Sequence, residues 1–287
     1  SYALINPSFT VEGFSGYCDP MAIYNDIDPN EEFTKERIDA VRAHTKKSKM
    51  VEMLNTTYGS VEDYTKEVIF FVEQVTGHVI PDFRGALKYG IDAMIAEAKK
   101  KQGDFYEAAA IALDGVKILI NRYLSLIAEQ KKTRSEERCN QLELLETALN
   151  NINGGKANNL YEALQLYLLL WEVMCLEQAP NPYAFSLGNV DRVFEEFRGD
   201  MSREEAAELF RHFLVFYNVG DRSWAISQNV LIGGRDVDGT DLTNTMTYAI
   251  MDAFYDMNLP QPILSVKLHK NTPEELYKEM GKFFFSA

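Results

Sequence analysis

The chain has 287 residues, with 29 Lys+Arg against 43 Asp+Glu and a formal net charge of −14. A hydrophobic fraction of 46% and a charged fraction of 25% are those of a folded globular protein, and the length allows one large domain or two modest ones. The acidic balance repels nucleic acid and anionic membrane, which excludes both as principal partners.

Residues 1–30 are rich in turn formers (Asn6-Pro7, Gly13, Gly16, Asp19-Pro20, Asp28-Pro29) and read as an extended segment laid over something else. Residues 31–217 are largely helical in pattern, with helices expected over 31–48, 60–75 and 83–101. The helix beginning at Asp104, with Glu107 as the second half of a capping box, keeps helical spacing through Phe105, Ala109, Ala112, Val116, Leu119, Tyr123 and Leu126 to Ala128. A charged helix is expected over 134–151, ended by Asn153-Gly154-Gly155. The apolar window 164–176 (LQLYLLLWEVMCL) is too short to span a bilayer and contains Glu172, so 158–177 reads as a buried core helix. Ser202 and Glu205 open another helix, to Tyr217, and Thr272-Pro273-Glu274 opens the last.

Residues 218–287 read as strand–helix–strand–helix. The first strand lies within Trp224 to Ile232, ahead of Gly233-Gly234. A helix over 242–257 follows, and then an alternating strand from Ile263 to Leu268, with Leu264, Val266 and Leu268 on one face. A strand–helix–strand order predicts parallel pairing in an α/β arrangement.

Cys18, Cys139 and Cys175 are far apart and form no C-x-x-C pair, which excludes a disulfide framework and a cysteine-rich zinc site. The N-terminus has no basic region followed by an apolar run, so no signal peptide is expected, and a cytoplasmic location fits the cysteine usage. Gly233-Gly234-Arg235 lacks the phosphate-loop and dinucleotide patterns. Asp236, Asp238 and Asp241 miss the glycine and glutamate positions of a calcium loop and read as a turn leading into a helix cap. His78 and Asp82 are four apart, but Gly77 and Pro81 argue against the helix that would make them joint metal ligands, so no metal site is expected. His44, His212 and His269 have no evident partners in the sequence.

Several segments, in order, resemble one family. Gly77-His78-Val79-Ile80-Pro81-Asp82-Phe83 with Leu87 to Asp92 is similar to the G-H-x-x-P-D-[YF] segment of glycyl radical enzymes, the relatives of pyruvate formate-lyase. Phe105-Tyr106-Glu107-Ala108 through Asn121-Arg122-Tyr123 resembles that family's F-Y-x-A…R-Y helix. Asn159 to Leu166 resembles [FL]-x-E-A-[LI]-Q, and Ser186-Leu187-Gly188-Asn189-Val190-Asp191 resembles S-L-G-R-[FL]-D. Gln228 to Gly234 with Asp238-Gly239, Asp241 and Thr243-Asn244 is similar to Q-N-x-x-[IL]-G-G…D-G-x-D-x-T-N. Leu259-Pro260-Gln261-Pro262 through Thr272-Pro273 resembles L-P-Q-P-x-L-S-V-R-[IL]-H-K-N-T-P. Asn189 and Lys267 stand where arginine is usual.

The resemblance implies a mostly helical α/β fold, part of a ten-stranded barrel with helices packed outside it. In the family the barrel encloses a cysteine loop and a glycine loop. The glycine radical is installed by an activating enzyme that uses S-adenosylmethionine and an iron–sulfur cluster. Neither loop motif occurs in the 287 residues, and Cys18, Cys139 and Cys175 lie outside the matching G-C context. The expectation is a single pyruvate formate-lyase-like domain portion over 1–287 that forms half of the substrate barrel of an anaerobic lyase, dehydratase or formate acetyltransferase-like enzyme and is inert alone. It would be completed by the rest of a longer chain or by a second chain, with a small-molecule substrate, the activating enzyme and a second copy as partners. No cofactor is expected to be held by this chain itself. A scaffold or binding module that kept the half-barrel and lost the chemistry is the rival reading.

Five residues are carried over as substrate-facing: His78, Tyr183, Ala184, Phe70 and Ser227. His78 suits a substrate hydroxyl better than a carboxylate, which speaks against pyruvate. The resemblance sets Tyr183 where dehydratases place His or Asp, and Ala184 where a glycerol-type enzyme places Ser; both departures speak against glycerol. Against these roles, Phe70 also reads as core, Ser227 as ordinary strand and Tyr183 as a loop aromatic.

Overall fold

The computed structural model of the chain describes residues 56, 79–177, 184–224 and 228–285. The helices expected over 31–48 and 60–75 lie outside the described residues. The remainder is a helical layer packed on a small set of parallel extended segments, a mostly helical α/β arrangement as expected.

The first helices with described bounds are α1 (Phe83–Tyr89) and α2 (Ile91–Lys99), where the apolar spacing predicts one helix. Gly90 breaks it. Its backbone adopts φ 85°, and a Cβ there would lie 2.5 Å from the Gly155 carbonyl carbon and 2.6 Å from the Gly154 oxygen. The Asp92 amide donates to that same Gly154 carbonyl at 2.9 Å. The break is therefore imposed by a tertiary contact with the Asn153-Gly154-Gly155 turn, not by the local sequence.

Helix α3 (Asp104–Lys131) starts from Gly103, and the expected Asp104–Glu107 capping box does not form. Both acids instead lie in the first turn, where negative charge favours the helix dipole. Helix α4 (Glu136–Ile152) is capped by Ser135, whose hydroxyl accepts from the Arg138 amide. Helix α5 (Leu160–Glu177) is the buried helix; Leu164, Leu168 and Leu169 are fully enclosed.

Helix α6 (Val190–Arg198) was not expected. Its spacing of Val190, Val193, Phe194 and Phe197 is nevertheless that of an amphipathic helix. Helix α7 (Arg203–Trp224) begins with the expected box: the Ser202 amide donates to Glu205 Oε2 at 2.8 Å, and the Glu205 amide to Ser202 Oγ at 3.2 Å. It runs seven residues past Tyr217, so Trp224 ends a helix and does not open a strand.

Strand β1 (Asn229–Gly233) pairs in parallel with β2 (Ile263–Lys267), Asn229 opposite Ile263 and Gly233 opposite Lys267. Between them runs α8 (Thr245–Met257), with an Asn244–Thr247 capping box, and α9 (Glu274–Phe285) follows β2. Two single bridges extend the pairing on the other side. Asn189 bridges Leu231, and Val79 bridges Phe185, both in parallel. The lateral order is thus Val79, segment 185–189, β1, β2.

Helices cover one side of this row. Val230 and Ile232 are buried there, with Leu264 and Val266 packed against the same core. An aromatic cluster fills the space behind: Tyr167 and Trp171 of α5, Phe194 of α6, and Phe210, Phe213 and Tyr217 of α7, with Phe213 stacked on Tyr217 at 5.1 Å. The other face of the row carries Asn229, Leu231, Ile263 and Ser265. No described helix covers it, and Ile263 is 48% exposed.

Candidate functional site

The uncovered face of the parallel row is the candidate site, and buried polar groups hold it in place from behind. Gln228 is fully buried at the start of β1. With its amide oriented to satisfy both ends, the oxygen accepts from Trp171 Nε1 at 3.0 Å and from the Phe185 amide at 3.2 Å. The nitrogen donates to the Phe185 carbonyl at 3.1 Å and to Tyr217 Oη at 2.9 Å. Tyr217 and Tyr167 hydroxyls lie 2.7 Å apart, and Tyr167 Oη donates to the Phe185 carbonyl. One side chain thus ties β1, segment 185–189, α5 and α7 into a unit whose polar groups are satisfied.

Asp191 does the same at the opposite end of β1. Its Oδ2 accepts from the Gly233 amide and from Thr247 Oγ1, each at 2.7 Å, and its Oδ1 from the Arg192 amide at 2.9 Å. Burial raises its pKa, opposed by those three donors. Glu195, one turn along α6, accepts from the Met246 amide at 2.9 Å. Two carboxylates on α6 therefore fix the start of α8.

At the carboxyl ends of the strands, His269 Nε2 lies 2.9 Å from Asp241 Oδ1, a pairing not evident in the sequence. The Asn271 amide donates to His269 Nδ1 at 3.3 Å, which leaves Nε2 to carry the proton toward Asp241. Thr243 donates to Asp241 from both backbone and hydroxyl. With both ring nitrogens engaged, this histidine clamps two loops together. Asp236 and Asp238 accept from the amides of Val237 and Thr240, the turn geometry expected of them. Among the described residues no group of three or more His, Cys, Asp or Glu is placed to hold a metal, and no helix is long and apolar enough to cross a membrane.

On the open face, Asn229 Nδ2 donates to Ser265 Oγ at 2.8 Å, and Ser186 Oγ to the Asn229 carbonyl at 3.4 Å. Of the five residues carried over as substrate-facing, Ala184 is described and is buried, 4% exposed, directly before Phe185. His78, Tyr183, Phe70 and Ser227 lie outside the described residues. Of the described cysteines, Cys175 is buried within α5, and Cys139 on α4 lies against the carbonyls of Lys131 and Arg134.

A row of parallel segments backed by helices and open on the other face is the geometry of an incomplete α/β barrel. The family profile described as pyruvate formate lyase-like matches residues 20–286, and the chain belongs to that family. Its relatives include a (2S)-3-sulfopropanediol dehydratase of Klebsiella oxytoca, 26% identical over 70% of this chain, and a trans-4-hydroxy-L-proline dehydratase of Clostridioides difficile, 28% identical over 67%. The matched region covers 28% of each of those proteins.

Among solved structures, the glycerol-bound B12-independent glycerol dehydratase of Clostridium butyricum aligns with a TM-score of 0.71 and 23% identity, covering 88% of this chain and 36% of that one. The C. difficile hydroxyproline dehydratase aligns at 0.66, covering 91% and 38%. Both share the fold. The chain is similar to dehydratases and lyases that are glycyl radical enzymes and spans about a third of their length.

Proposed function

We propose that this chain supplies part of the substrate-enclosing barrel of a glycyl radical dehydratase or lyase acting on a small hydroxylated molecule, and that it turns over nothing by itself. The observation that carries the reading is the parallel row Val79, 185–189, β1, β2, closed by helices on one side and open on the other. A barrel interior must exclude water if a radical is to survive in it, and a row with one open face cannot do so alone. The cysteine that forms the thiyl and the glycine that stores the radical are expected on residues that complete the barrel, with an S-adenosylmethionine-dependent activating enzyme acting there.

His78 directly precedes Val79, whose bridge to Phe185 forms one margin of the row. In this reading His78 donates to or accepts from a substrate hydroxyl, with Ser227, Tyr183, Ala184 and Phe70 as the further pocket positions. The dehydratase relatives act on hydroxylated substrates, as their names state, which agrees with a histidine in that role.

Two measurements test this. Anaerobic incubation of the 287-residue chain with a cognate activating enzyme should give no glycyl radical signal by electron paramagnetic resonance and no turnover; either signal overturns the proposal that the chain is inert. In the completed enzyme, His78→Ala should lower kcat/KM about 10- to 100-fold, the worth of one hydrogen bond to a substrate hydroxyl. An unchanged value would remove His78 from the site.

A further inference from the structure

Helix α3 has two apolar faces, and among the described residues only one is buried. Val116, Ile120, Tyr123 and Ile127 are buried against the rest of the fold. The other face carries Asp104, Ala108, Ile111, Gly115, Ile118 and Arg122, spaced 4-3-4-3-4, and all six are exposed. That is the a/d spacing of a coiled-coil seam. Ile111 is 68% exposed and Ile118 51%, so the seam leaves large aliphatic surface in water.

Gly115 meets no packing demand among the described residues. It sits in mid-helix, where glycine costs about 1 kcal/mol relative to alanine, yet an added Cβ would meet nothing within 4 Å. A glycine kept on an open helix face lets another backbone approach from outside.

We infer that α3 is the two-fold contact with a second copy of this chain, an antiparallel helix pair centred near residue 113. In an antiparallel pair, residues whose numbers sum to twice the centre face each other, here 226. Ile111 then packs on Gly115 of the second copy, Ile118 on Ala108, and Asp104 meets Arg122, each twice by symmetry. Bulky residues oppose small ones, and opposite charges close both ends. Neither Asp104 nor Arg122 has an ion pair among the described residues. Phe105, 76% exposed, flanks the seam beside Leu119 of the second copy. On the opposite flank Asp114 approaches its own symmetry mate. Small residues at the crossing suit an axis separation near ~8 Å at the shallow angle of left-handed pairs. On one flank Ile111, Asp114 and Ile118 line a groove shared with Ile95, Ala98 and Lys99 of α2, and the surface stands apart from the open face of the strands.

The test is a set of variants of the 287-residue chain, read by sedimentation and by disulfide trapping, with circular dichroism confirming the fold. Arg122→Glu should weaken the dimer about tenfold or more, Asp104→Arg likewise, and the double exchange should restore it. Gly115→Leu should abolish the dimer while leaving the helix content equal or higher, which a role confined to the monomer would not do. Asp114→Asn should tighten the dimer. Asp104→Cys/Arg122→Cys should trap a covalent dimer that neither single cysteine gives, because the two positions are about 27 Å apart along one helix but adjacent across the two-fold. A chain that stays monomeric, trapping by Asp104→Cys or Arg122→Cys alone, or association indifferent to the charge exchange would each overturn the assignment. The first outcome would leave the seam to be covered by the rest of a longer protein.

Discussion

Glu172 is a carboxylic acid enclosed in α5 with no hydrogen-bond partner for either oxygen. Burial alone pushes its pKa well above the ordinary 4.5. The sign of the consequence follows from proton counting. Above the ordinary carboxylate range the unfolded chain has released this proton and the folded chain has kept it, so folding takes up a proton and stability falls as pH rises. The slope approaches about 1.4 kcal/mol per pH unit while the folded acid stays protonated. Glu172→Gln removes the titration at similar volume. Its stability should match the parent near pH 5 and exceed it increasingly toward pH 8, measured by urea unfolding. Parallel curves across that window would mean the acid ionises in the fold. Asp191, also raised by burial, titrates in both proteins and cancels from the difference. Its own role is tested by Asp191→Ala, which strands the Gly233 amide and the Thr247 hydroxyl; a loss of about 3 kcal/mol is expected, with the denaturant slope unchanged.

Elements were legible in the sequence where apolar period and local caps decide them. Helices α3, α4, α5 and α8 and strand β2 lie close to where their spacing puts them. The misses have two causes, contacts distant in sequence and local patterns that read two ways. The α1–α2 break needs the Gly154–Gly155 turn. The overlong α7 takes Trp224 from an apolar run that suits strand and helix equally. Nine-residue α6 hides behind a loop-like Ser-Leu-Gly. The His269–Asp241 pairing depends on α8 bringing two loops to the same ends of β1 and β2. At Gly90 this distinction can be measured. Gly90→Ala combines positive φ with a backbone collision, whereas Gly103→Ala has positive φ, 117°, and open space around it. If the tertiary contact breaks the helix, Gly90→Ala should cost more than about 2 kcal/mol and clearly more than Gly103→Ala. Equal losses would assign the break to backbone strain alone.

At the scale of the molecule, family and fold class were legible because six colinear motifs run from Gly77 to Pro273. The pocket is a different matter: a motif transfers a position but not the environment that makes the residue a ligand contact, and of the five residues carried over Ala184 is the one described, buried directly before Phe185. The same architecture gives the 287-residue chain two surfaces of different kind. The α3 seam is self-complementary and closes at two copies. The open face carries Ile263, and among the described residues no strand lies beyond β2; a sheet edge templates growth without a limit. Association should therefore separate into a dimer and a concentration-dependent series above it. Charges placed on a strand discourage edge pairing, so Ile263→Lys/Ser265→Lys should remove the larger species in light scattering and leave the dimer. Adding Arg122→Glu to that variant should then halve the mass. If the lysines leave the large species untouched, the open face is not what draws copies together, and the proposal that it is an unfinished barrel interior loses its main physical consequence.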